Sequence, residues 1–71
     1  MHYVLIEIQK YDTGAVAVIP AKVYDDRREA ESAYYRVLAE VAMATIPLIS
    51  VTLVTERGEI LMTKCYELGI N

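Results

Sequence analysis

From Asp26 to Thr45 the chain carries no glycine and no proline. Its apolar residues recur there at helical spacing, with Ala30, Ala33, Tyr34, Val37, Val41 and Ala44 forming one stripe. Asp26 followed by Glu29 has the form of a capping box, and acidic side chains crowd the first turn, where the helix dipole favours them. Pro47 restricts Ile46 and stops the helix nearby. The pattern predicts a helix over about 26–45. A helix in that position splits the remaining chain into two flanks, and each flank is broken once by a glycine turn.

In the first flank, Val4, Ile6 and Ile8 share one strand face, while Tyr3, Leu5, Glu7, Gln9 and Tyr11 share the other. The purely aliphatic face is expected to meet the core. Asp12-Thr13-Gly14 suits a hairpin in which Gly14 takes a left-handed conformation at a bulge. Residues 15–19 return the chain as a second strand, and Pro20 ends that strand or sits on a sheet edge, because proline cannot donate to a ladder. In the second flank, Ile49, Val51 and Leu53 alternate with Ser50 and Thr52, as in a half-buried strand. Glu56-Arg57-Gly58 repeats the form of the first turn. The last strand, Glu59 to Tyr66, places Ile60 and Met62 on one face and Leu61, Thr63 and Cys65 on the other. The tail from Glu67 to Asn71 carries no clear signal. The predicted fold is α+β in ββαββ order: one domain, a four-stranded mainly antiparallel sheet with one helix packed on one face. The strand order is left open.

A chain of 71 residues is marginal as a lone domain. Such domains often rely on disulfides, a metal or a partner subunit. Cys65 is the single cysteine and His2 the single histidine, so no intrachain disulfide forms and no metal site or cofactor is expected. Self-association is the remaining device. Hydrophobic residues make up 55% of the chain, which is more than so small an interior hides. The net charge of -3 argues against nucleic acid as a partner. No apolar run reaches the roughly 20 residues of a membrane span, no secretion signal is visible, and the single free thiol suits a reducing, cytoplasmic compartment.

The helix is expected to be apolar on two sides. Behind the core stripe lie Ser32, Tyr35, Ala39, Ala42 and Met43, flanked by Arg36 and Glu40 as a weak i,i+4 pair. Tyr35, Leu38, Ala39, Ala42 and Met43 are the first candidate interface, open to close approach by another helix. Burying Tyr35, Leu38 or Met43 contributes about 1.5–3 kcal/mol each, against about 3–5 kcal/mol for a whole lone domain of this size. The competing interface is the outer sheet face, read as Tyr3, Leu5, Ala17, Val54 and Leu61, with the hairpin edges as a third.

Nothing in the chain suits catalysis. His2 is terminal, Cys65 reads as a small buried hydrophobe, and capping explains the acidic group around Asp25, Asp26, Glu29 and Glu31. No phosphate-cradling loop is present, since Gly14, Gly58 and Gly69 stand alone. Six tyrosines with no Phe or Trp suit interfaces. Tyr3 and Tyr24 with Arg27, Arg28 and Arg36 are the candidate ligand site, able to stack on and neutralise a small nucleotide at a subunit junction.

The segment Tyr3-Val4-Leu5-Ile6-Glu7-Ile8-Gln9, then Tyr24-Asp25-Asp26, Glu29-Ala30-Glu31-Ser32, Tyr35, Pro47 and the Gly58 turn resembles a family of short proteins encoded by bacteriophages and prophages of gut Firmicutes. The likeness spans about residues 3–62. Family members often carry a histidine after the proline, where this chain has Ile49-Ser50, so any role of that histidine is missing here. Many also carry an acidic tail, whereas the last residue here is Asn71. The resemblance transfers no activity and no functional residue. It implies phage origin, and with it a virion accessory, an inhibitor of host machinery, or an oligomer that sequesters nucleotide signals of host defence in the host-cell cytoplasm. The expectation is a non-enzymatic homo-oligomeric interaction module that binds itself and a host protein, with a small-nucleotide binder as the alternative.

Overall fold

In the computed structural model, which describes residues 1–68, the order is β1 (Tyr3–Lys10), β2 (Val16–Tyr24), α1 (Arg27–Val41), β3 (Leu48–Thr55) and β4 (Ile60–Glu67). The tail segment 69–71 lies outside the described residues. The sheet order is β2-β1-β3-β4, and every neighbouring pair is antiparallel. β2 and β3 therefore run in the same direction on either side of β1, and α1 lies across β1 to join them. The predicted α+β class and ββαββ order hold.

Both hairpins close in the same way. The Tyr11 N–H donates to the Ala15 carbonyl and the Gly14 N–H to the Tyr11 carbonyl, each at 2.9 Å. Thr55, Gly58 and Glu59 repeat this arrangement at the same lengths. Gly14 and Gly58 both sit at φ +86°, the left-handed region where a side chain is strained. The second turn is tightened by the Thr55 hydroxyl, which accepts from the Arg57 and Glu59 N–H groups.

Each edge strand carries one residue more than its partner. In β2 the register jumps between the Leu5–Lys22 and Glu7–Ile19 pairs, so Pro20 and Ala21 share the space opposite Ile6. Pro20 thus sits on an edge, at a bulge that needs no donor from it, and β2 continues to Tyr24. In β4 the jump lies between Ile60 and Met62 and leaves Leu61 unpaired. This bulge overturns the expected grouping of Ile60 with Met62. Ile60 joins Thr63 and Cys65 on the outer face, while Leu61 and Met62 both pack toward the core.

Asp26 caps α1, its carboxylate accepting from the Arg28 N–H at 3.1 Å. The helix ends at Val41, earlier than expected. From there Ala42 N–H still reaches the Leu38 carbonyl, but Met43 and Ala44 bond three residues back, to Glu40 and Val41. The chain has tightened into 3₁₀-like turns ahead of Pro47. The i,i+4 ion pair of the helix is Arg27–Glu31 at 2.8 Å rather than Arg36–Glu40.

The core lies between α1 and one sheet face. Ala30, Ala33, Tyr34 and Val41 pack on Leu5, Ile49, Val51 and Leu53, with Val37 and Ala44 at its margin. The helix stripe is as predicted, and β3 alternates cleanly between buried and half-buried. β1 is reversed: Leu5 is its buried residue, and the expected inward set of Val4, Ile6 and Ile8 faces away from the helix. The register explains why. Leu5 pairs with Leu53 and Glu7 with Val51, so the odd-numbered side of β1 must share the helix side of β3.

Candidate functional site

The reversal of β1 builds the main surface feature. On the side of the sheet opposite α1, the register rows are Val23–Val4–Val54–Ile60 at one end and Val18–Ile8–Ser50–Cys65 further along. Val16, Val18, Val23 and Ile60 are each more than 60% exposed. Among the described residues, no second layer covers this face. A strip of polar groups crosses it on β3 and β4, where the Thr52 and Thr63 hydroxyls bond each other at 3.0 Å. Cys65 stands exposed beside them, not buried as expected. The outer face therefore differs from the expected set. Tyr3 and Leu5 lie on the helix side, Ala17 pairs with Gln9 on that same side, and Leu61 packs against the core; Val54 alone belongs.

The helix back is open as predicted at Tyr35, Ala39, Ala42 and Met43. Met43 is 85% exposed and Tyr35 60%. Leu38 does not join them, because it is half-buried against the core. Ala42 is the C-cap and Met43 lies beyond it, so these residues form a broken patch, not a continuous helical stripe. Tyr35 is held by an edge-on contact with Tyr34, ring centres 5.4 Å apart.

A groove of about 360 Å³ opens between α1 and edge strand β2. Its apolar floor is Leu5, Ile19 and Val37, and its charged lining is Glu7, Lys22, Arg36 and Glu40. A second hollow continues from it past Tyr24 and Arg36 to Arg28, Glu29 and Ser32. The structure thus brings Tyr24, Arg28 and Arg36 together and leaves out the other two proposed ligand residues. Arg27 is committed to Glu31, whose carboxylate holds the guanidinium pKa above its usual value, first by accepting its hydrogen bond and then by charge. Tyr3 packs against the core beside Thr55.

The sequence reading missed Glu7 and Lys22 as groove residues. Glu7 accepts from the Gln9 amide at 2.6 Å, and the Tyr11 hydroxyl donates in turn to Gln9, forming a polar row along β1 on the helix side. That row was the available signal. A strand face that is aromatic and aliphatic at one end and polar at the other fits beneath a helix that covers part of it.

Among the described residues, no three His, Cys, Asp or Glu side chains gather as a metal site, and no helix is long and apolar enough to cross a membrane. Fold and surfaces together define a two-layer α+β domain with one sheet face left open. No family model matches the chain, and no curated protein or solved structure matches it either.

Proposed function

We propose that this chain is a non-enzymatic, self-associating interaction module, acting as a phage accessory or as an inhibitor of a host factor. One observation supports the reading above the others: the most aliphatic face of the central strand β1 points away from α1. A contiguous apolar surface of this kind marks an interaction site. With the sheet face given to self-association, Tyr35, Ala39, Ala42 and Met43 remain as the contact for a foreign protein. Sedimentation across a concentration series tests the reading. A reversible shift from one subunit to a larger species is expected, and a well-folded single subunit at every concentration overturns it.

The second reading, a small-nucleotide binder, is favoured by the shared hollow of Tyr24, Arg28 and Arg36. The carboxylates of Glu7, Glu29 and Glu40 offset its cations. A thermal-shift screen with cyclic nucleotides raises the melting temperature if it holds, because a ligand confined to the folded state stabilises that state. No shift at millimolar ligand removes it.

A further inference from the structure

We infer that the open sheet face closes on the same face of a second copy about a twofold axis parallel to the strands, setting Lys10 beside Glu67 of the second copy and sealing Cys65 inside. This rests on the self-association proposed above and names its surface and geometry.

The charge pattern selects the occupant. Among the described residues of the four strands, the outer face carries two charged side chains, Lys10 and Glu67. They flank Leu48 in one register row that runs Val16–Lys10–Leu48–Glu67. An anionic membrane or a nucleic acid needs several cations at the rim, and this face has one, matched by an anion. A second copy supplies the complement. With the twofold axis along the strands, between β1 and β3, each row lies over itself reversed. Lys10 then stands one strand spacing, about 4.8 Å sideways, from Glu67 of the second copy across a gap of about 10 Å that long side chains span. A twofold axis across the strands would lay both charges on the row of Val23, Val4, Val54 and Ile60, where neither finds a partner.

Area and polarity agree. Four strands at about 4.8 Å spacing, with about 3.3 Å per residue along each, present a flat patch of roughly 500 Å² per copy. The pair reaches about 1,000 Å², the lower bound for a specific interface. The one hydroxyl pair on the face, Thr52 with Thr63, is already bonded internally at 3.0 Å, so it enters the interface without losing its partner. The assembly would be a four-layer stack with α1 on each outside and the groove beside β2 still open.

Cys65 is the natural probe, being the single thiol and lying in the row with Ser50, Ile8 and Val18. Maleimide labelling of the unaltered chain across a dilution series is expected to speed up in proportion to the fraction of single subunits measured by sedimentation. Val18→Glu, at a position 66% exposed in the subunit, is expected to leave the fold intact by circular dichroism, abolish association and free Cys65. Lys10→Glu is expected to weaken association and Lys10→Glu with Glu67→Lys to restore it, while Ala39→Glu on the helix back changes nothing. An oligomer whose Cys65 labels at the single-subunit rate overturns this geometry and leaves self-association standing. A charge-reversed double variant no better than the single one also overturns it. A chain that never associates overturns both.

Discussion

Buried and half-buried side chains alternate along β3, so single substitutions there separate packing from surface effects. Leu53 is completely buried between β1 and α1. Leu53→Ala is expected to cost about 2–5 kcal/mol by urea unfolding, through lost transfer energy and the cavity left behind. Thr52→Ala, one residue away on the outer face, should cost far less. The N-terminus offers a pH-dependent contact. Glu56 accepts from the His2 backbone N–H and lies 3.6 Å from the His2 ring, and its own N–H donates to the His2 carbonyl. The backbone hydrogen bond, followed by the charges of His2 and the amino terminus, holds the Glu56 carboxyl below its ordinary pKa. A depressed carboxylate pKa contributes stability that is present above the unfolded value and lost as pH falls through the folded one. The melting temperature should therefore drop on acidification through that window, and Glu56→Gln should flatten this limb by lowering the neutral-to-alkaline plateau above it.

At the scale of elements, the helix and its neighbours were legible because each rests on local chemistry. Asp26 as cap, the stripe from Ala30 to Ala44 and the two glycine turns all follow from spacing and backbone preference. Asp26→Ala should lower stability by about 1 kcal/mol in denaturant unfolding, since the Arg28 N–H loses its acceptor. The facing of β1 was not legible. Alternation shows that Val4, Ile6 and Ile8 lie together, but not which way they turn. The register with β3 decides that, and register is a long-range property. The bulges escaped for the same reason. One extra residue at Pro20–Ala21 and another at Leu61 each reverse the side of every position beyond them, which is how Ile60 and Met62 parted company. The candidate ligand set suffered likewise. Arg27 and Arg28 are adjacent in sequence, yet one is bound to Glu31 and the other lines the hollow with Arg36. Helical neighbours point about 100° apart, so a basic pair in sequence is not a basic pair in space.

For the whole molecule, the balance between one helix and four strands matters most. A single helix buries one face of the sheet, chiefly over β3 and β1, and the opposite face keeps Val16, Val18, Val23 and Ile60 in water. Mass action follows. If association shields that face only in the folded state, the melting temperature rises with protein concentration, and Val18→Glu removes the dependence. A melting temperature that stays constant on dilution of the unaltered chain, while sedimentation reports only one subunit, counts against the arrangement. Sequence reading anticipated that such a surplus of apolar surface must go somewhere, because 55% apolar content in 71 residues exceeds what one small core absorbs. It placed the surplus first on the helix back, where Leu38 proves half-buried and Met43 lies past the helix end, and second on the outer sheet face, where Val54 is the one expected residue that lies there.

The irregular borders of the sheet limit how far assembly can go. A neighbouring strand that tried to zip onto β2 would meet a missing donor at Pro20, and on β4 it would meet the kink at Leu61. Lateral growth, copy after copy into a ribbon, is disfavoured on both flanks. Stacking about a closed axis uses up its own surface in one step. If the open sheet faces pair as proposed, the product is a finite particle of fixed subunit number that stays dispersed at high abundance instead of seeding fibres.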